Sequence, residues 1–230
     1  MRVAIVTGGS SGIGLALVQR LLAEDYAVVG VARDPSKIPA PALRVQGDVV
    51  HEQTARQAVQ AALQHFGRLD LLVNNAGIFI AKPFTEYTTD DYARLVNTNL
   101  HGFVHMTQHA LRVMKPGSHV VNLGTSLSTQ PQAQVPSALA ILIKGGIEAA
   151  SRALAIEYAA RGIRVNTIGA GVIDTPMHQP EQHGFLATLS PAQRLGTVEE
   201  IADALLYLER ASFVSGEVLR VDGGAHAGRF

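Results

Sequence analysis

A glycine-rich turn near the amino terminus has the residue types and spacing that suit a pyrophosphate. A β-branched run at residues 3–6 is followed by four glycines, namely Gly8, Gly9, Gly12 and Gly14. An apolar helical pattern begins among them and continues through residues 13–23. Backbone N–H groups at the start of such a helix point at an anion, and the helix dipole favours its negative charge. A Cβ in this turn would block close approach of the phosphates. The turn predicts a dinucleotide site, and an ordinary βα turn is the alternative.

Two other polar segments follow predicted strands. Asn75-Ala76-Gly77 comes directly after a buried strand, where small residues let a flat ligand lie close to the backbone. The alternative is a plain turn that uses Asn and Gly for left-handed geometry. Asp48 can accept a hydrogen bond from an adenine amino group, or it can cap the helix that follows.

The composition excludes several classes of function. Lys and Arg number 19, as do Asp and Glu, so no net field attracts nucleic acid or an anionic membrane. The absence of Cys removes disulfides, thiol nucleophiles and thiolate metal sites. No charged-then-apolar leader precedes the first strand, and no apolar run approaches membrane length. We therefore expect a cytoplasmic protein that binds neither nucleic acid nor membranes.

Short apolar runs alternate with longer amphipathic segments along the chain, which predicts parallel strands joined by helical crossovers. With 230 residues, of which 47% are hydrophobic, we expect one doubly wound α/β domain over residues 1–230. About seven parallel strands would carry helices on both faces. The predicted strands are Val3–Val6, Ala27–Ala32, Leu43–Gln46, Leu69–Val73, His119–Leu123, Arg164–Ile168 and Glu217–Val221. The predicted helices are Ile13–Ala23, Glu52–His65, Asp90–Met114, Pro136–Ala160 and Val198–Leu208.

Two long irregular segments, at residues 124–135 and 171–196, each follow a predicted strand. Both should lie at the carboxyl edge of the sheet, where ligands bind in such folds. We predict that residues 171–196 form a mobile substrate lid.

Five short motifs stand in one order along the chain. They are Thr7-Gly8-Gly9-Ser10-Ser11-Gly12-Ile13-Gly14, Gly47-Asp48-Val49, Asn74-Asn75-Ala76-Gly77, Asn97-Thr98-Asn99-Leu100 and Val221-Asp222-Gly223-Gly224. In these motifs the chain resembles the classical short-chain dehydrogenase/reductase family over essentially its whole length. The resemblance implies a Rossmann-type fold, a nicotinamide cofactor, a small-molecule substrate and assembly into a homodimer or homotetramer. It also implies cofactor contacts at Gly8, Ser10, Ser11, Gly12, Ile13, Gly14, Arg33, Asp48, Val49, Asn75, Ala76, Gly77, Lys144, Val172 and Thr175.

The end of the second predicted strand bears on the choice between NAD and NADP. Ala32 stands where NAD-preferring members of that family carry Asp, and Arg33 follows where NADP-preferring members carry Arg. The planar fork of Arg suits a 2′-phosphate because it donates two parallel hydrogen bonds. Asp34 instead can face the ribose or neutralise Arg33. We predict NADP rather than NAD.

The resemblance fails at one catalytic position. Members of the family use a Tyr to exchange the proton, a Lys four residues later to lower its pKa, and a Ser to polarise the substrate oxygen. Lys144 matches the Lys, but Ala140 stands four residues before it. Because residues i and i+4 share one helix face, only position 140 would put a phenol over Lys144. The usual proton donor is missing.

Three residues of the family's catalytic set remain, namely Asn99, Thr125 and Lys144. Thr125 aligns with the Ser, and Ser126 and Ser128 are alternatives to it. Lys144 would contact the nicotinamide ribose, or else be a surface lysine paired with Glu148. The missing proton would come from water, from Thr125 or from a histidine of the lid, His178 or His183.

His101, His105 and His109 follow one another at intervals of four residues on a predicted helix. Such spacing can bind Zn²⁺, but no Cys or nearby carboxylate completes a closed site. We predict packing or interface residues here, and no bound metal.

Two functions from different classes follow. The first is an NADPH-dependent reduction of a small carbonyl or imine, or the reverse oxidation, with a non-standard proton donor. The second is a cofactor-binding protein without redox turnover, either a regulatory sensor or a non-redox catalyst. The retained Asn99 and Lys144 favour the enzyme, whereas Ala140 favours the alternative.

Overall fold

One parallel sheet of seven strands forms the centre of the computed structural model, which describes residues 1–228. The strands are β1 (Val3–Thr7), β2 (Ala27–Ala32), β3 (Leu43–Gln46), β4 (Leu71–Asn74), β5 (His119–Thr125), β6 (Arg164–Ala170) and β7 (Val218–Val221). Their spatial order is β3-β2-β1-β4-β5-β6-β7, and every neighbouring pair is parallel. The strand order reverses between β1 and β4, which is where such sheets bind ligands. The predicted fold class is confirmed.

Helices cover both faces of this sheet. They are α1 (Gly12–Ala23), α2 (Glu52–Phe66), α3 (Thr89–Leu95), α4 (Gly102–Val113), α5 (Ala138–Glu157), α6 (His183–Ala187) and α7 (Val198–Arg210). Alternate residues of a strand point to opposite faces. Ala4 and Val6 of β1 therefore pack with α1 and α7, while Val3 and Ile5 pack with α2 and α4. Because both faces of the central strands are buried, their sequences are continuous apolar runs.

The predicted helix Asp90–Met114 is divided in the structure. A π-helical segment, Val96–His101, separates α3 from α4. Segments of this kind are frequent at functional sites, because the extra residue changes the direction of one side chain. Here the segment contains Asn99, whose buried side chain accepts a hydrogen bond from Ile78 N (2.9 Å) and donates one to Ile78 O (3.0 Å).

Other boundaries differ from the predictions by a few residues. The predicted strand at 69–73 begins only at Leu71, because Asp70 uses its carboxylate to accept from Val3 N (2.8 Å). The predicted helix at 136–160 is α5, which begins at Ala138 and ends at Glu157. β5 and β6 extend two residues further than predicted, to Thr125 and Ala170.

A buried polar cluster ties the end of α7 to the amino edge of the sheet. Asn166 Nδ2 donates to His119 Nε2 (2.9 Å), so His119 carries its proton on Nδ1 and donates it to Glu209 (2.7 Å). Tyr26 donates its hydroxyl proton to the other oxygen of Glu209 (2.6 Å). Burial lowers the pKa of His119, which agrees with a neutral ring.

The segment predicted as a lid, residues 171–196, contains a short helical turn and α6. Its ends are joined, because Ile173 pairs with Gly196 in an isolated parallel bridge. Its mobility remains a prediction. Over residues 1–228, no helix combines the length and the apolar character needed to cross a membrane.

Candidate active site

A cavity of about 480 Å³ opens at the carboxyl edge of the sheet. The glycine turn, the ends of β5 and β6 and the segment after β6 supply its walls. It brings together most of the predicted cofactor residues: Gly8, Ser11, Gly12, Ile13, Asn75, Ala76, Gly77, Lys144, Val172 and Thr175. Ser10, Gly14, Arg33, Asp48 and Val49 do not line it.

The glycine turn has a backbone that suits an anion at the start of α1. Gly8 and Gly12 have positive φ angles of 68° and 49°, which strain any residue with a Cβ. A Cβ on Gly14 would overlap the carbonyl oxygen of Gly8. The first N–H groups of a helix have no partner within it, and the first turn of α1 carries no acidic residue. A pyrophosphate therefore fits this turn in both shape and charge.

Hydrogen bonds join the ends of β1 and β4 beside this turn. Thr7 Oγ1 accepts from the backbone N–H groups of Asn75 and Ala76, both at 3.0 Å, and Asn75 Nδ2 donates to Thr7 O (2.8 Å). Neither Asn75 nor Gly77 has a positive φ, so the alternative of a left-handed turn is wrong. A Cβ on Gly77 would lie 2.9 Å from Asn99 Oδ1, so close packing explains this glycine.

The capping alternative for Asp48 is also wrong. His51, not Asp48, is the N-cap residue of α2. Asp48 Oδ1 instead accepts a hydrogen bond from Val50 N (3.2 Å) in its own turn. Val49 is buried against α4, where a Cβ on Gly102 would lie 2.8 Å from its Cγ2.

Arg33 extends from the end of β2 with an exposed side chain. Asp34 does not neutralise it, because Asp34 Oδ1 accepts from Ser36 N (3.0 Å), and this bond lowers the pKa of the Asp34 carboxyl. Within the described part of the chain, the Arg33 guanidinium has no carboxylate at ion-pair distance. The position suits an anionic group of a ligand.

Lys144 of α5 lies inside the site. Its Nζ donates to Leu123 O (3.0 Å), and burial lowers the pKa of this amine to about 8, although the nearby Glu148 carboxylate acts in the opposite direction. The alternative of a surface pair with Glu148 is wrong, because Glu148 is buried and pairs with Arg220 (3.3 Å).

A second, smaller cavity of about 20 Å³ joins Lys144 to Asn99. Asn74 and Asn122 also line it, and Asn74 Oδ1 has no hydrogen-bond partner among the described residues. A volume of this size with polar walls suits a single water molecule. The structure thus brings Asn99 and Lys144 to one polar space.

Of the three candidate hydroxyls, Thr125 and Ser126 line the large cavity. Ser128 does not, because its Oγ contacts Thr125 O and Glu148 Oε1, both at 2.7 Å. Ser128 is therefore excluded as the hydroxyl that meets a substrate in this conformation. Ala140 has no exposed surface, packs in an apolar cluster with Leu95 and Ile143, and does not itself line the cavity.

The histidines of the predicted lid differ in position. His178 lines the cavity, and burial, with a smaller effect of His183, lowers its pKa. His183 lies outside the wall, with its Nε2 3.7 Å from Asp174 Oδ1.

The histidine row runs from the π-helical segment, which ends at His101, into α4, and the ring centroids of His101 and His105 are 5.9 Å apart. A carboxylate does lie close to this row, because Glu52 Oε1 of α2 is 2.9 Å from His109 Nε2. Among residues 1–228, no group of three metal-binding side chains forms a site.

Sequence reasoning did not identify the apolar wall of the cavity. It comes from three separate segments that follow β4, β5 and β6, and its members are Ile78, Phe79, Leu127, Val135, Leu186 and Leu189. The only signal was the presence of apolar residues in segments that carry no helical or strand period.

Known proteins share both the sequence and the fold. A sequence model described as Enoyl-(Acyl carrier protein) reductase matches residues 8–226. A short chain dehydrogenase from Burkholderia cenocepacia, solved in complex with NADP, is 29% identical with a TM-score of 0.92, and the match covers 97% of each chain. The chain belongs to the short-chain dehydrogenase/reductase family.

Two further proteins are similar to this chain over nearly its whole length. The cis-4-hydroxycyclohexanecarboxylate dehydrogenase of Sinomonas cyclohexanicum is 38% identical, over 97% of this chain and 96% of the relative. A blue fluorescent protein from a metagenomic library, solved in complex with NADPH, is 34% identical with a TM-score of 0.90 and 97% of each chain covered.

Lys144→Met should change the pH dependence of stability. In the folded chain the Lys144 pKa is about 8, whereas the ordinary pKa of a lysine side chain is 10.5. Between these pH values the unfolded chain binds the extra proton, so the wild type should gain stability relative to the variant as pH rises through this window. We expect a gain of about 1–3 kcal/mol in the free energy of unfolding, measured in urea at pH 7 and pH 10.5. For the exposed control Lys115→Met, the wild type and the variant should differ in free energy of unfolding by the same amount at both pH values. The same result for Lys144→Met would contradict the burial of the Lys144 charge.

Proposed function

We propose that the chain is an NADP(H)-dependent oxidoreductase that reduces a small carbonyl compound or imine, or catalyses the reverse oxidation. The observation that carries this proposal is one cavity shared by a glycine cradle, the Lys144 amine and the Thr125 and Ser126 hydroxyls. The NADP and NADPH found in the two related structures support the choice of cofactor.

The cofactor residues have distinct parts in this proposal. Backbone N–H groups at 8–14, with Ser10, would bind the pyrophosphate, and Arg33 would bind the 2′-phosphate. Asp48 and Val49 would face the adenine, and Val172 and Thr175 the nicotinamide amide. The contact between the glycine turn and the segment after β6 supports this, because a Cβ on Gly12 would lie 3.3 Å from Thr175 Cβ. When bound, the nicotinamide supplies or accepts the hydride.

The proton must come from a group other than the tyrosine that the family uses at position 140. In reduction, the substrate carbon gains a hydride while its oxygen or nitrogen gains a proton. Thr125 and Ser126 would donate hydrogen bonds to that atom. We propose two sources of the proton. One is Lys144, acting through a water molecule near Asn99, and the other is His178. An amine with a pKa of about 8 is well matched to proton transfer near neutral pH.

The apolar wall supports an uncharged substrate. Among the described lining residues, the only cationic or titratable basic side chains are Lys144 and His178. Neither provides the bidentate fork with which Arg binds a carboxylate or phosphate. We propose a compact, largely apolar ketone, aldehyde or imine.

A second candidate is a cofactor-binding protein without redox turnover. The apolar packing of Ala140 favours it, since it leaves no phenol over Lys144. Both candidates share the cofactor site and differ only in the chemical step.

Turnover distinguishes the two candidates. The purified protein should bind NADPH in calorimetry and oxidise it, seen as loss of nicotinamide absorbance, with at least one member of a panel of apolar carbonyls and imines. Lys144→Met should lower kcat by about 100-fold or more, because it removes a general acid. Lys115→Met is the matched surface control. Tight NADPH binding without oxidation across the panel would favour the second candidate.

Arg33→Ala should weaken the binding of NADPH selectively. Loss of a charge-assisted hydrogen bond of about 1.5–3 kcal/mol corresponds to a rise in Kd of roughly 10-fold to 100-fold, whereas NADH should change little. Calorimetric titration with both cofactors measures this, and Arg56→Ala is the exposed control. An equal loss for NADPH and NADH would mean that Arg33 does not contact the 2′-phosphate.

We also propose that the chain assembles into a homodimer or homotetramer, with α5 in the interface. Leu142 and Ile156 of α5 are 66% and 81% exposed, and small residues occupy the positions between them on the same face: Gly146, Ala149 and Ala153. Leu142→Glu should shift the mass measured by light scattering to that of the monomer, because a charge would be buried without a partner. Leu63→Glu on α2 is the control. An unchanged mass for the α5 variant would exclude this face.

A further inference from the structure

A buried ion pair lies in a notch of the sheet directly below the candidate site. Gly124 of β5 and Gly169 of β6 are neighbours in register. A Cβ on Gly124 would lie 2.8 Å from Glu148 Oε1, and a Cβ on Gly169 would lie 2.9 Å from Arg220 Cδ. The two glycines therefore make room for Glu148 and Arg220 on one face of the sheet.

The pair is well shielded from water. The side chains of Glu148 and Arg220 are 6% and 14% exposed, and Arg220 Nη1 is 3.3 Å from Glu148 Oε1. Burial of two charges costs solvation energy, which only good geometry and further hydrogen bonds offset. Those further bonds all go to one loop.

That loop is the segment from Thr125 to Thr129. Arg220 Nη1 donates to Thr125 O (3.0 Å), and Arg220 Nη2 donates to the hydroxyl of Thr129. Ser128 Oγ donates to Glu148 Oε1 (2.7 Å). The ion pair thus holds both ends of the loop from below, while Thr125 and Ser126 line the cavity above.

The 125–129 loop also contains hydrogen bonds of its own. Leu127 N donates to Thr125 Oγ1 at 3.3 Å, Thr129 N and Gln130 N donate to Ser126 O at 3.0 Å and 3.1 Å, and Ser128 Oγ lies 2.7 Å from Thr125 O. These bonds join residues of the loop to one another and do not tie the loop to another element. The bonds from Arg220 and Glu148 do tie the loop to another part of the fold, because these residues belong to β7 and α5.

We propose that Glu148 and Arg220 are positioning residues, which hold the 125–129 loop so that the Thr125 and Ser126 hydroxyls face the substrate. The catalytic consequence rests on the proposed function, whereas the effect on the loop does not. Neither residue lines the cavity, so each acts through the loop and not on the substrate.

The test removes both charges together, because removal of one alone leaves the other buried and unpaired. In the double variant Glu148→Met/Arg220→Met, amide hydrogen exchange of residues 125–129 should become at least about tenfold faster. The Kd for NADPH should stay within about twofold, and kcat should fall by about 100-fold, since small misplacement of reacting groups has effects of that size. The exposed pair Arg210 and Glu24, replaced by Met in the same way, is the matched control.

Arg220→Lys is the conservative variant. It keeps the charge beside Glu148 but lacks the planar fork, so exchange and kcat should lie between those of the wild type and the double variant. If the double variant does not fold, Arg220→Lys decides the matter: wild-type exchange and wild-type kcat would overturn the proposal. So would wild-type values in a folded double variant. If the wild type itself oxidises no cofactor, the proposed function fails, and the exchange of the loop still decides whether the pair holds it.

Discussion

The close approach of α1 to the ends of β1 and β4 is the constraint on which the rest of the site depends. Gly14 lies so near the Gly8 carbonyl that no side chain fits, and Gly8 itself would meet Asn75 Nδ2 at 2.9 Å if it carried a Cβ. Thr7 then joins β1 to the residues after β4 through its hydroxyl. Because these contacts set the crevice at the point where strand order reverses, the cofactor site and the substrate cavity share one wall.

A second set of buried polar groups arranges the chemistry next to this crevice. Lys144 donates to a backbone carbonyl and is removed from water, so its charge is costly and burial lowers its pKa to about 8. The side chain of Asn99 is hydrogen-bonded to both the N–H and the carbonyl of Ile78. Asn99, in the π-helical segment, also lines the small cavity beside Lys144. These groups are fixed by their partners, and that is the usual condition for a preorganised site.

Ala140, which stands where the resemblance predicts a tyrosine, is embedded in this same packing. Ala140 is on the same helix as Lys144 but faces an apolar cluster that includes Phe103 and Leu139. The cluster packs α5 against α3 and the π-helical segment, and it also includes Phe103 of α4. Among the polar groups that line the cavity beside this helix are the hydroxyls of Thr125 and Ser126, the Lys144 amine and the His178 ring.

Local patterns in the sequence were enough to predict the alternation of strands and helices, the glycine turn and the edge of the sheet at which the cavity opens. These features depend on side-chain period and on backbone freedom, both of which act between near neighbours in the chain. The predicted strand at 27–32 and the start of α7 at Val198 were correct for this reason.

Features set by distant partners were wrong or missing. Glu148 pairs with Arg220, which is 72 residues away in the chain, and not with Lys144. The π-helical turn at Asn99 depends on hydrogen bonds to Ile78. Sequence by itself therefore determined the family, the fold and the cradle, while only the tertiary structure decided which charges are buried together and which hydroxyls reach the cavity.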